Sequence, residues 1–171
     1  MNWYVLFVKG GLENQIKNFL NDQFDDWVSF YPMVQKIHTS KGKKKVCLRP
    51  LFPSYIFVKS NIDAAEFRYR LFQIRGRMSG IIKELEYEHD AISALREDEI
   101  YYLEHLLDDN FQVLPSTGVL QEGRVHVISG PLVGLDDKIV KVNRHNRSAI
   151  IQFNILGEEK SASVALEIVD K

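Results

Sequence analysis

The hydrophobic pattern changes near Asn110, and this change constrains the possible folds more than any other feature of the sequence. Before Asn110, stretches with helical spacing alternate with extended apolar runs. After it, short β-type runs are separated by turn residues and show no helical period. The sequence therefore predicts two domains: an α+β sandwich with about three helices over 1–110, and a five-stranded SH3-like β-barrel over 122–171. Residues 111–121, which include Pro115 and Gly118, are predicted to be a linker.

Elements of the first domain are expected in the order β-α-β-β-β-α-β-α. The apolar run Trp3–Val8 suits a buried strand, and Leu12–Asp25 has the spacing of an amphipathic helix. A second helix should begin at Asp63, which can cap it because Glu66 follows three residues later. A third is expected over Glu97–Asp108. Further strands are predicted at Val28–Val34, Phe52–Lys59 and Ile81–Ile82, and in the barrel at Arg124–Ile128, Lys138–Val142, Ala149–Phe153 and Ser161–Leu166.

Several function classes find no support in the sequence. Cys47 is the only cysteine among 171 residues, which rules out an intrachain disulfide and a cysteine-rich zinc site. The five histidines lack metal-ligand spacing, the acidic stretch Glu84–Asp109 is expected to be a solvated surface, and no nucleotide-binding glycine loop or catalytic set is present. We predict no enzyme activity, cofactor or metal. No signal peptide or membrane span is predicted, which indicates a cytoplasmic protein.

Positive charge is local rather than global. The formal net charge is −1, so any contact with nucleic acid must come from basic patches. The stretch Thr39–Lys45 is polar, basic and contains a glycine, and it predicts an exposed hairpin tip or loop. Its lysines Lys43, Lys44 and Lys45 could follow phosphates, or could simply be solvated.

Two sets of residues carry a resemblance to a known family. The run Glu122–Gly134 (EGRVHVISGPLVG) resembles the KOW motif, with Val125 and Val127 expected to face the barrel interior. An SH3-like barrel with a Gly-Pro turn is the alternative. Trp3–Leu6, Gly11–Glu13 and Phe52–Val58 occur in the order of the N-terminal NGN domain of the NusG family, and Arg75-Gly76 with Gly80–Ile82 fits its next segment. The chain therefore resembles bacterial NusG proteins over nearly its whole length.

Three departures make the chain more similar to the specialised RfaH and LoaP branch than to general NusG proteins. Ser54 replaces the usual glycine, Asp136-Asp137 replaces a common Asn-Gly, and the turn Asn143–Arg147 is basic. The resemblance thus implies an elongation or antitermination factor, expected as a monomer, that promotes processive transcription of particular operons. A general elongation and termination factor and a ribosome-associated KOW protein are the alternatives. Ribosomal proteins usually carry a strong positive charge, which disfavours the last.

The resemblance also implies three interfaces. An exposed aromatic patch of Phe7, Phe52, Tyr55 and Phe57 would bind the clamp of RNA polymerase. Non-template DNA or a nascent RNA hairpin would be contacted by Arg68, Tyr69, Arg70, Arg75 and Arg77, with Lys43, Lys44, Lys45, Arg144 and Arg147 extending the basic surface. A second protein would meet the loop Ile155, Leu156 and Gly157. This partner could be a small-subunit ribosomal protein, whereas Rho should bind weakly or not at all because Glu158 and Glu159 follow the loop.

Overall fold

The computed structural model describes residues 1–89 and 92–169. Asp90 of the acidic stretch and residues 170–171 of the predicted barrel lie outside the described residues. The α+β class is confirmed. The helices are α1 Glu13–Gln23, α2 Ala64–Ile74 and α3 Glu97–Leu106. The strands are β1 Asn2–Val8, β2 Val28–Phe30, β3 Met33–Ser40, β4 Lys43–Pro50, β5 Tyr55–Ser60, β6 Ile81–Glu84, β7 Gln112–Val113, β8 Ser116–Gln121, β9 Arg124–Ser129, β10 Ile139–Asn143, β11 Ser148–Ile155 and β12 Glu158–Ile168.

The chain forms two compact units whose boundaries differ from those of the predicted domains. Unit 1 consists of Met1–Tyr31, Phe52–Ile100 and Ile155–Glu158, and unit 2 of Pro32–Leu51, Tyr101–Asn154 and Glu159–Lys171. The β3–β4 hairpin therefore groups with the C-terminal strands. The turn Ile155–Glu158 groups with the N-terminal sheet.

Unit 1 is built on an antiparallel sheet with the strand order β2-β5-β1-β6. One face of this sheet packs on α1 and α2. The cluster includes Tyr4 and Leu6 of β1 and Ile16, Leu20 and Phe67 of the helices, all fully buried. As predicted, Asp63 caps α2: its Oδ1 accepts a hydrogen bond from the Glu66 amide at 2.9 Å.

The opposite face of the same sheet is aromatic and also buried. Trp3 and Phe57 are 2% and 0% exposed, and Phe30 joins them with ring centroids 5.5 Å from Trp3 and 5.7 Å from Phe57. The ammonium of Lys59 lies 4.1 Å from the Trp3 ring centroid, a cation–π contact. Burial on both faces explains why β1 is a continuous apolar run rather than an alternating one.

The β3–β4 hairpin of unit 2 turns at Lys41-Gly42, which confirms the exposed tip. Ser40 pairs with Lys43 across a two-residue loop, and both loop residues have positive φ, +50° and +74°. This is the backbone of a type I′ turn, whose twist matches that of paired antiparallel strands. Along its other edge β3 pairs in parallel with β7.

The second sheet of unit 2 has five strands in the order β10-β11-β12-β8-β9. It corrects the predicted linker, because residues 111–121 contain β7 and β8. β8 pairs antiparallel with β9 and parallel with β12, and Val119 is buried. The polar turn residues suggested a flexible segment, but their backbone hydrogen bonds place them inside the sheet. Val125 and Val127 are half-buried, in alternation with exposed neighbours.

The Gly-Pro turn of the KOW-like motif fits closely against the start of β8. Gly130 has φ +92°, and a Cβ there would lie 2.6 Å from Ser116 Oγ and 2.7 Å from the Pro115 carbonyl oxygen. Ser116 Oγ also accepts a hydrogen bond from the Leu132 amide at 3.1 Å. The motif therefore needs glycine at this position both for the left-handed backbone and for the lack of space.

We predict that Gly130→Ala lowers the free energy of unfolding by about 3 kcal/mol, because it combines left-handed strain with overpacking. Gly134→Ala is the matched control, since Gly134 has φ +80° and a Cβ there would meet no described residue other than its chain neighbours within 4 Å. The control should cost about 1 kcal/mol. Urea denaturation followed by circular dichroism measures both, and equal losses would contradict the role of the close contact with Ser116.

Candidate protein and nucleic-acid interfaces

The four aromatic residues predicted to form an exposed patch are brought together on β1, β5 and the turn before β5. Phe7 and Tyr55 pair across the strands with ring centroids 6.0 Å apart, and Phe52 lies 6.4 Å from Tyr55. However, Phe57 is 0% and Phe52 6% exposed, and Phe7 and Tyr55 are half-buried. The expected exposure is therefore wrong for Phe52 and Phe57, because both faces of the sheet are buried. Only Phe7 and Tyr55 retain part of their surface.

A buried carboxylate fixes the turn that precedes Tyr55. Glu13, at the start of α1, accepts hydrogen bonds from the Gly11 amide at 2.8 Å and the Ser54 amide at 3.0 Å. Ser54 has φ +68°, a backbone that normally favours glycine. One charge-assisted hydrogen bond therefore holds the strained turn beside the partly exposed aromatic pair, and the other ties the same carboxylate to the Gly11 amide.

On α2, the two predicted nucleic-acid arginines are paired with carboxylates. Arg68 contacts Glu84 at 3.1 Å and Glu86 at 3.3 Å. Arg70 contacts Glu66 at 2.7 Å and Asp26 at 2.8 Å. Hydrogen bonding to Glu84 raises the pKa of Arg68 further above its usual range. A phosphate at these guanidinium groups would therefore compete with carboxylates for the same positive charge.

Two exposed aromatic side chains lie on the same helix. Tyr69 is 59% and Phe72 is 72% exposed. Residues three apart are neighbours on a helix surface, so the two rings form one apolar spot. Arg75 and Arg77, which follow the helix, are also exposed. Phe72 was missed by the sequence analysis, although its i+3 spacing from Tyr69 and its absence from the buried stripe of Phe67, Leu71 and Ile74 could have identified it.

The remaining basic residues of the predicted set lie in unit 2. Lys43, Lys44 and Lys45 are exposed on β4, and Arg144 is exposed in the turn after β10. Arg147 is half-buried and donates a hydrogen bond to Thr39 Oγ1 at 2.8 Å. Arg147 of the turn after β10 is thus a neighbour of the β3–β4 hairpin, although the two are far apart in sequence. The α2 residues belong to unit 1.

The predicted partner-binding turn is mostly buried within unit 1. Ile155 and Leu156 are 1% and 6% exposed, whereas Gly157 and Glu158 are exposed. Leu156 has φ +55° and Gly157 φ +77°. The expectation that Ile155 and Leu156 are presented to a partner is therefore wrong for this conformation, which offers the backbone of Gly157 and the carboxylates that follow it.

Glu99 of α3 organises the surroundings of this turn. Its Oε1 accepts a hydrogen bond from the Gly157 amide at 3.0 Å, and its Oε2 accepts from the Arg96 amide at 3.1 Å and from the Tyr87 hydroxyl. Glu99 is 4% exposed. The Arg96 guanidinium lies 4.3 Å from the Tyr87 ring centroid. Burial and the bond to Glu99 raise the pKa of Tyr87, so its hydroxyl remains a hydrogen-bond donor at alkaline pH as well as at neutral pH.

Within residues 1–89 and 92–169, no group of three or more His, Cys, Asp or Glu side chains is placed to hold a metal ion. No helix in the described part of the chain is long and apolar enough to cross a membrane.

A family model and proteins from Helicobacter pylori show similarity to this chain. A family model described as "Transcription termination factor nusG" matches residues 1–104. The "Transcription termination/antitermination protein NusG" of Helicobacter pylori strain ATCC 700392 / 26695 is 22% identical over 180 residues, covering 100% of this chain and 98% of that protein. The protein of the same name from strain J99 / ATCC 700824 is 24% identical over 179 residues, with the same coverage.

We predict that Glu99→Ala lowers the free energy of unfolding by about 3 kcal/mol, because it leaves buried donors without an acceptor. Tyr87→Phe removes one donor and should cost about 1 kcal/mol. The control is Glu104→Ala, an exposed carboxylate on the same helix, which should change stability by less than about 0.5 kcal/mol. Thermal denaturation of the three variants tests the order, and a Glu99→Ala protein as stable as the control would contradict it.

Proposed function

Because this chain belongs to the NusG family, we propose that it is a cytoplasmic transcription elongation factor that binds RNA polymerase and promotes antitermination. The observation that carries this proposal is the family match over residues 1–104, with full-length similarity to proteins named for termination and antitermination. No catalytic, cofactor-binding or metal-binding role is proposed. The protein acts by contact alone, as a monomer.

The proposed polymerase-binding surface centres on Phe7 and Tyr55. Both rings are partly exposed and their edge-to-face contact holds them in place. Phe52 and Phe57 support them from the buried side, with Phe52 5.9 Å from Phe57. Rigid aromatic side chains with some exposed area are common anchors of protein interfaces. The buried Glu13 adds support by fixing the turn before Tyr55.

The proposed contact with single-stranded nucleic acid in the transcription complex lies on α2. Tyr69 and Phe72 offer two exposed rings for base stacking, and Arg75 and Arg77 supply positive charge. Arg68 and Arg70 contribute more weakly to phosphate binding, because both are paired with carboxylates. Non-template DNA and nascent RNA are both suited to this surface, because stacking does not depend on the sugar.

A specialised role, of the RfaH and LoaP kind, is supported by charge at the turn after β11. Glu158 and Glu159 are exposed there, while Leu156 is 6% exposed. Two carboxylates disfavour a partner that expects a neutral or basic loop. We therefore propose weak or absent binding to Rho, with a small-subunit ribosomal protein as a possible second partner. The general NusG role is the alternative.

The polymerase surface is tested by Tyr55→Ala, which should weaken binding to core RNA polymerase by about 2 kcal/mol while the fold is retained. Tyr101→Ala is the control, because Tyr101 is 64% exposed on α3 and belongs to unit 2. Biolayer interferometry with immobilised core enzyme measures both. Phe57→Ala should instead lower stability, by about 3–5 kcal/mol, since its ring is fully buried. Unchanged polymerase affinity in a folded Tyr55→Ala protein would mean that the docking surface does not include Tyr55.

The functional role is tested by the double variant Tyr69→Ala, Phe72→Ala in a purified transcription system. Loss of two stacking rings costs about 1–3 kcal/mol per base, so read-through of a terminator should fall while polymerase binding persists. Tyr101→Ala again serves as the control.

The same assay with Rho added should show no stimulation of termination by the wild-type protein. Stimulation would favour the general NusG role over the specialised one.

A further inference from the structure

A polar cleft in unit 2 lies between the β3–β4 hairpin and the five-stranded sheet. It encloses about 600 Å³ and is lined by β3, by the turn between β10 and β11, and by β12. Its polar side chains include Lys36, His38, Thr39, His145, Arg147 and Ser163. None of the described lining residues is acidic. A cleft with cationic walls and hydroxyl donors has the chemistry of a phosphate-binding site.

The turn that forms one wall is held in a fixed conformation. The Asn146 amide donates to Asn143 Oδ1 at 2.9 Å, and the Leu166 amide of β12 donates to the Arg147 carbonyl at 3.0 Å. Arg147 has φ +48°, a left-handed backbone conformation that few L residues adopt. A strained position held by surrounding hydrogen bonds is often a functional one.

A carboxylate at the edge of the cleft, that of Glu167, forms ion pairs with two cations. Glu167 Oε1 lies 3.3 Å from Arg147 Nε and 3.4 Å from Lys44 Nζ. One oxygen therefore bridges a cation from the barrel turn and a cation from the hairpin. An oxygen of a phosphodiester has the same charge and could take this position, with the added donors Thr39 and Ser163 nearby.

We propose that this cleft binds the backbone of single-stranded nucleic acid, and that Glu167 competes with its phosphates for Arg147 and Lys44. A cavity of this volume can hold a ligand of drug-like size, such as a nucleotide or two, but not a duplex. The site rests on the proposed nucleic-acid function and adds a second contact in unit 2. The cleft lies next to the hairpin and the turn that carry the predicted basic residues. Its lining adds Lys36, His38 and His145, which the sequence did not assign to an interface.

The competition gives the site a distinctive signature, because removal of one carboxylate charge should strengthen binding. Glu167→Gln should bind a labelled eight-nucleotide single strand about threefold more tightly in fluorescence anisotropy, since the cations no longer need to leave a carboxylate. Glu159→Gln is the matched control. It makes the same change in net charge at an exposed position of the same strand and should leave affinity nearly unchanged.

Loss of binding is tested by Arg147→Asn, which removes the guanidinium while asparagine tolerates the positive φ. Affinity should fall about tenfold, and the log–log salt slope should become shallower by about 0.7 per lost phosphate contact. Lys36→Gln provides a second variant at an ordinary strand position, should Arg147→Asn fail to fold. Equal effects of Glu167→Gln and Glu159→Gln, or unchanged binding in folded Lys36→Gln and Arg147→Asn proteins, would overturn the site.

The experiment uses the full chain without polymerase, so that its outcome is independent of the proposed transcriptional role. RNA, DNA and duplex probes of equal length are compared, and stronger binding of duplex than of either single strand would overturn the assignment. The same variants are measured in the Tyr69→Ala, Phe72→Ala background. The Glu167 and Arg147 effects should persist there, even if read-through assays fail to support the antitermination role. Their disappearance would mean that α2 alone binds the strand.

Discussion

Burial of both faces of β1 is the constraint on which the N-terminal sheet depends. Tyr4 and Leu6 face α1 and α2, while Trp3 and Val5 face the other way, and all four are at most 2% exposed. Because β5 pairs with β1 along six residues, its alternation is fixed by the same requirement. Phe57 must then be a core residue. The aromatic pair Phe7 and Tyr55 marks the edge of this packing, where part of each ring remains available to a partner.

Much of the fold could be predicted from the sequence because it depends on local signals. The Asp63 cap, the helical apolar stripe of α2 and the Lys41-Gly42 turn are each determined by a few adjacent residues. The failed predictions share a different cause. β8 becomes a strand through pairing with β9 and β12, which no local pattern encodes. Exposure of Phe57 or Leu156 depends likewise on what covers them, and sequence periodicity assigns a face without saying whether that face is solvated.

The candidate sites show the same division between residue type and surroundings. The sequence correctly placed Arg68 and Arg70 on the second helix, but it did not predict that they pair with Glu84 and Asp26. It identified the family's glycine-to-serine departure at Ser54, but not that Glu13 stabilises the strained turn through the Ser54 amide. In both cases a carboxylate distant in sequence changes what the residue can do. Phe72 is the converse case, since its position outside the buried stripe of α2 follows from a helical spacing that was available in the sequence.

Both surfaces proposed to contact nucleic acid in this chain, whose net charge is −1, contain cations that are paired with carboxylates. On α2 the partners are Glu66, Glu84 and Asp26, and in the unit 2 cleft the partner is Glu167. A phosphate bound at either site would compete with an internal anion, so the net gain per contact would be smaller than for a free cation. Such pairing would lower the affinity for a free strand, and another interaction that raises the local concentration of the strand would strengthen binding. Attachment to a polymerase would provide that concentration by making the second contact intramolecular. Under the proposed function, charge pairing within the protein would therefore favour nucleic-acid contact on an assembled transcription complex over contact with free strands.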